Sequence, residues 1–134
     1  MKKISLMLLT VVVVLTLASP AAASGPTGLI GIYSVAACQD TTTVAVSGTA
    51  SAATNRIKAW IYRQNNKGEW IELANTVTAE FSSGSFMMPL VLNYFGKQVE
   101  GGTPLQVVVK LQSRSGNSYV DVSNTSTTLN ASDK

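Results

Sequence analysis

Leu105–Leu111, LQVVVKL, sets apolar side chains at every second position, with Gln106 and Lys110 between them. Such alternation lays one face of a pleated strand on a core and turns the other to water. Thr42–Thr49, TTVAVSGT, is β-branched and alternates too, with Val44 and Val46 on one face and Thr43, Ala45 and Ser47 on the other. Beyond residue 23 no segment of helical length carries an apolar repeat of about 3.6. The chain is thereby confined to extended structure.

Arg56–Ala74, RIKAWIYRQNNKGEWIELA, reads as a hairpin around the polar turn Asn65-Asn66-Lys67-Gly68. It holds both tryptophans. Pairing Arg63 with Trp70 would group Trp60, Tyr62, Ile71 and Leu73 on one face, and Ile57, Ala59, Ile61, Trp70 and Ala74 on the other. A one-residue bulge at Gly68 would shift these sets against each other.

Met1-Lys2-Lys3, the apolar run Ile4–Ala18, Ser19-Pro20 and Ala21-Ala22-Ala23 follow the order of a secretory signal peptide. The run is ~15 residues long, short of the ~20 that span a bilayer, and small residues follow it. Its compact form looks bacterial, so Asn124-Thr125-Ser126 and Asn130-Ala131-Ser132 are incidental as glycosylation acceptors. Removal of 1–23 leaves eight basic residues of ten against seven acidic ones, a net charge of +1. No field remains to steer nucleic acid, and no membrane insertion follows cleavage. The remainder, about 111 residues, is enough for one self-standing domain. Cys38 is the single cysteine. It either packs as a small apolar residue or forms an intermolecular disulfide.

In order, Leu29–Cys38 reads as a first strand, and Thr76–Thr78 as a short peripheral one. Ser85–Tyr94 is apolar almost throughout and should be covered on both faces for much of its length. Pro89 places an edge or a bulge there. Phe95–Pro104 is a long connection, and Gly116-Asn117 closes a hairpin to Tyr119–Ser123. The fold class is all-β: an antiparallel immunoglobulin-like or fibronectin-III-like sandwich of about seven strands, behind a signal-peptide helix. The expected division is 1–23 signal peptide, 24–28 linker, 29–126 sandwich and 127–134 disordered tail.

Ser47-Gly48-Thr49-Ala50, Ser83-Gly84-Ser85-Phe86, Gly102-Thr103-Pro104-Leu105 and Ser115-Gly116-Asn117-Ser118 come in the order and rough spacing of four turn-and-strand motifs. Over Thr42–Ser126 the chain resembles bacterial immunoglobulin-like domains. The resemblance implies that the first motif ends an early strand and the second starts a later one. The third would open the penultimate strand and the fourth turn into the last. It further implies extracellular display, adhesion or spacing, with no catalytic residue to transfer. WIYRQ with flanking cations departs from the plain Thr/Val third strand of that family.

Three kinds of site bear on chemistry. Without histidine, the usual general base and zinc ligand are missing, and Cys38 has no imidazole to activate it. Asp40, Glu69, Glu72, Glu80, Glu100 and Asp121 show no spacing that sets two carboxylates in a cleft. Met87 and Met88, adjacent on a strand, point to opposite faces, so one packs inward. No cofactor, metal site or catalysis is expected. Trp60 suits a sandwich core; on the functional reading Trp60 or Trp70 stands on an open face with Arg56, Lys58 or Arg63 nearby. The sequence expectation is a secreted or periplasmic module, monomeric or weakly self-associating. Arg56, Lys58, Arg63 and Trp70 would bind a carbohydrate or surface protein. A self-assembling subunit adding to a sheet edge, or by fold analogy a protease inhibitor, are the alternatives.

Overall fold

The computed structural model describes residues 25–38, 40–97 and 99–132. The expected signal peptide lies outside them. Seven strands follow one another: β1 (Gly28–Ala37), β2 (Thr41–Ala50), β3 (Asn55–Gln64), β4 (Trp70–Val77), β5 (Gly84–Asn93), β6 (Pro104–Ser115) and β7 (Ser118–Asn130). They form two antiparallel sheets, ordered β1-β2-β5 and β4-β3-β6-β7. The sandwich expected from the alternation is present, and each of the four motifs sits at the strand end that the resemblance assigned it.

Period-two sequences dictate which side chains meet between the layers. Val44 and Val46 of β2, Ile57, Ala59 and Ile61 of β3, and Leu105, Val107, Val109 and Leu111 of β6 are fully buried. Each branched aliphatic so buried contributes at most about 1.5–3 kcal/mol. Where β1 pairs with β2 near Ile30 and Gly48, the ladder leaves no room for a side chain on Gly48. A Cβ on Gly48 would stand 1.9 Å from the Leu29 carbonyl oxygen, so only glycine fits.

Two polar clusters lie inside. The Ser113 hydroxyl donates to Asn55 Oδ1 at 2.6 Å, and Asn55 Nδ2 donates to the Ala52 carbonyl at 2.9 Å. The Tyr94 hydroxyl donates to the Cys38 carbonyl at 2.9 Å and shares a hydrogen bond with the Thr42 hydroxyl. This pins the end of β5 under the β1–β2 turn. Burial pushes the Tyr94 phenol above its ordinary range.

Four expectations are corrected. The short strand after the hairpin is the continuation of β4, whose ladder with β3 runs from Gln64↔Trp70 to Lys58↔Val77. Strand β5 is covered on one face only. It is an edge strand, as Pro89 requires, with Met88 packed inward and Met87 and Val91 exposed. Cys38 is exposed and not packed, because β1 ends before it. The tail does not fray over its described part. β7 runs through Asn130, Ala131 is buried, and the Ser132 amide donates to the Ala37 carbonyl. Its alternating Thr125, Thr127 and Leu129 suit a strand, and every residue from Ser123 to Asn130 has a β6 partner.

Candidate binding face

The hairpin register decides where the aromatics go. Five loop residues separate Gln64 from Trp70, so the pairing is one residue off the Arg63–Trp70 alignment. Asn65 builds the loop: its Oδ1 accepts from the Lys67 and Glu69 amides at 2.8 and 2.9 Å. Gly68 takes a φ of 82°, where a side chain would be strained. The irregularity in the ladder falls between Ile61 and Tyr62 and not at Gly68, and it leaves Leu73 free to turn inward. Trp60, Tyr62, Trp70 and Glu72 consequently share the outer face, and Ile57, Ala59 and Ile61 share the inner one. The reading of Trp60 as core is overturned. The small aliphatics of the opposite phase fill that space.

Rungs of the ladder order this face. Arg56 faces Gln112 and Asp121, Lys58 faces Lys110 and Asn124, Trp60 faces Val108 and Ser126, and Tyr62 faces Gln106 and Thr128. Beyond Arg56 stands the pair Arg114 and Tyr119. One half is therefore cationic, and the other holds Trp60 and Tyr62 with Gln106 beside them. The Arg56 guanidinium lies 3.9 Å from the centre of the Tyr119 ring and donates to Gln112 Oε1 at 2.9 Å. The Lys58 and Lys110 ammonium groups lie 5.2 and 5.6 Å from the centre of the Trp60 ring. These are cation–π distances, which steady the rings in the absence of a ligand.

Glu72, beside Tyr62, accepts from Asn75 Nδ2 at 2.8 Å, and the acids near the cations are engaged by them. Asp121 accepts from Gln112 at 2.8 Å and pairs with Lys110 at 3.3 Å. The Gln112 hydrogen bond first, and then Lys110 and Lys58, hold its carboxyl below the usual range. Glu80 accepts from the Tyr119 hydroxyl and lies 4.0 Å from Arg114.

Of the four residues singled out in the sequence, Arg56, Lys58 and Trp70 meet on this face and Arg63 does not. Arg63 pairs with Leu105 and Ile71, on the inner phase. It opens into a polar cleft of about 780 Å³ at the end of the sandwich, lined also by Glu72, Lys97 and Glu100. Sequence reasoning missed Lys110, Arg114 and Tyr119 as parts of the face. Lys110 was legible as outward, whereas its approach to Trp60 depends on the β3–β6 register. Among the described residues no three metal-ligating side chains are grouped to hold a cation.

No family model matches the chain, and no curated protein matches it. A solved β-glucuronidase of Bacteroides uniformis is similar at 15% identity and a TM-score of 0.52. The match covers 78% of this chain and 13% of that one. A β-glucosidase of Kluyveromyces marxianus is similar at 12% identity and a TM-score of 0.40, over 78% of this chain and 15% of the enzyme. The chain thus spans about one seventh of the length of the solved chains it matches. What the first of these likenesses establishes is a fold: the two-sheet sandwich of this chain also occurs within a β-glucuronidase chain.

Proposed function

We propose that the protein is an exported, non-catalytic module that binds carbohydrate on the outer face of its four-stranded sheet. The observation that carries this reading is the placement of Trp60, Tyr62 and Trp70 on one open face, with amides close by. Sugar rings expose C–H bonds that pack on the electron-rich face of an aromatic ring, and side-chain amides satisfy their hydroxyls. Likeness to part of a β-glucuronidase supports a saccharide as the ligand class and a role beside, and not within, a catalytic centre. Affinity electrophoresis through gels containing soluble glycans tests the proposal. The native chain should be retarded by at least one glycan, and Trp60→Ala should restore free migration. Equal retardation of the native and Trp60→Ala chains would remove the site.

A second reading, self-assembly, has its own support. The outer face of the three-stranded sheet carries no charge, and β5 exposes Met87 and Val91 at an edge. Exposed Cys38 would cross-link adjacent copies under oxidising conditions. Size-exclusion chromatography at high concentration decides: a strict monomer, with no disulfide-linked dimer, ends this reading.

A further inference from the structure

Four cations, Arg56, Lys58, Lys110 and Arg114, stand on the outer face of the four-stranded sheet beside Trp60 and Tyr119. Lys58 and Lys110 are direct partners across the β3–β6 ladder, and like charges set opposite each other destabilise a sheet. Both ammonium groups also crowd the same indole, that of Trp60. Three of the four cations here are answered from within the chain. Lys110 has Asp121 at 3.3 Å, Arg114 has Glu80 at 4.0 Å, and Arg56 is bonded to Gln112 and stacked on Tyr119. Lys58 differs. Among the described residues no carboxylate reaches ion-pair distance of it and it makes no side-chain hydrogen bond; it has the Trp60 ring at 5.2 Å and Asp121 only from farther away. Its neighbours along the outer phase of β3 are Trp60 and, one step on, Tyr62, where a sugar ring would rest.

We propose that the ligand is an acidic glycan: a ring packs on Trp60 and Tyr62 while its carboxylate or sulfate sits against Lys58 and partly neutralises the Lys58–Lys110 repulsion. This rests on the carbohydrate reading above and narrows it. A neutral polysaccharide would leave Lys58 without a carboxylate at ion-pair distance. An acidic one meets a charge-assisted hydrogen bond on the rung next to the stacking surface.

The test compares polygalacturonate, alginate and hyaluronan with their carboxyl-reduced counterparts, which keep the ring and lose the charge. Isothermal titration at low salt should show at least one acidic form binding about tenfold or more tighter than its reduced partner. That margin should shrink as salt is raised. Lys58→Gln should weaken the acidic form by more than the reduced form and so erase the margin; Lys58→Arg should keep it. Acidic and reduced forms bound equally, or a margin surviving in Lys58→Gln, would overturn the acidic specificity and leave carbohydrate binding standing. A native chain that binds none of these polymers, acidic or reduced, would overturn both.

Discussion

The two sheets divide the work of the molecule between them. Strands β1, β2 and β5, ten residues each, contain no Asp, Glu, Lys or Arg. Every charged residue that lies in a strand belongs to the other sheet: Arg56, Lys58, Arg63, Glu72, Lys110, Arg114 and Asp121. The uncharged sheet is held by close backbone approach and buried hydrogen bonds. The charged one holds the same core from its inner side and leaves its outer side for chemistry. Substitutions in the first should therefore register as stability, and those on the outer face of the second as binding.

The largest effect that could break this contrast is at Gly48. Gly48→Val places a side chain against the Leu29 carbonyl and Phe86 and should destabilise the fold by about 3 kcal/mol or more, read by urea unfolding. A loss below about 1 kcal/mol would mean that β1 slides freely and the close approach is dispensable.

Tyr94→Phe should cost about 1–3 kcal/mol, since the Cys38 carbonyl and the Thr42 hydroxyl lose a buried partner. Its pH dependence sharpens the point. The phenol is raised in the folded state, so its contribution is complete below the ordinary value of 10.0 and is lost as pH rises through the raised one. The native chain should lose urea resistance at such alkaline pH more steeply than Tyr94→Phe.

On the other sheet, Trp60→Ala should change stability by no more than about 1 kcal/mol while abolishing glycan retardation. A collapse of the fold would show that Trp60 is a structural residue in spite of its outward phase. The smallest effect belongs to Asp121→Asn, at or below about 0.5 kcal/mol and vanishing in salt, because its ion pair with Lys110 is exposed. Any stability that Asp121 adds through its lowered carboxyl is present above the unfolded pKa and lost as pH falls through the folded one.

Much of this was legible in the residues. Alternation in LQVVVKL and TTVAVSGT placed β6 and β2 and named their buried side chains, because burial on one face imposes a period of two. Pro89 marked an edge or a bulge in β5, and the edge is what forms, yet its apolar run concealed the open face, since hydrophobicity alone does not count the layers above a strand. In RIKAWIYRQ the phase of Arg56 and Lys58 already carried Trp60 and Tyr62 to the surface with them. Size argued for core, but phase prevailed. The grouping of Trp60 with Trp70 was not legible. It depends on a one-residue register set by the Asn65 loop and a mid-strand irregularity, which composition does not encode. Arg63 lies on the odd phase of β3, opposite to Arg56 and Lys58, and that was legible in the spacing. The last strand was hidden by polar residues whose partners lie across the ladder and not nearby in sequence.

The final residues tie into the fold in a way that matters under tension. β1 enters the sandwich beside Ala50, and Ser132 leaves it beside Ala37, at the far end of the same strand. β7 runs alongside β1 in the same direction, joined by the Ile30 amide donating to Ser123 Oγ and the Ser132 amide to the Ala37 carbonyl. Pulling the two ends apart would drive these neighbours past each other lengthwise, so whole rows of contacts must yield together and not peel one by one.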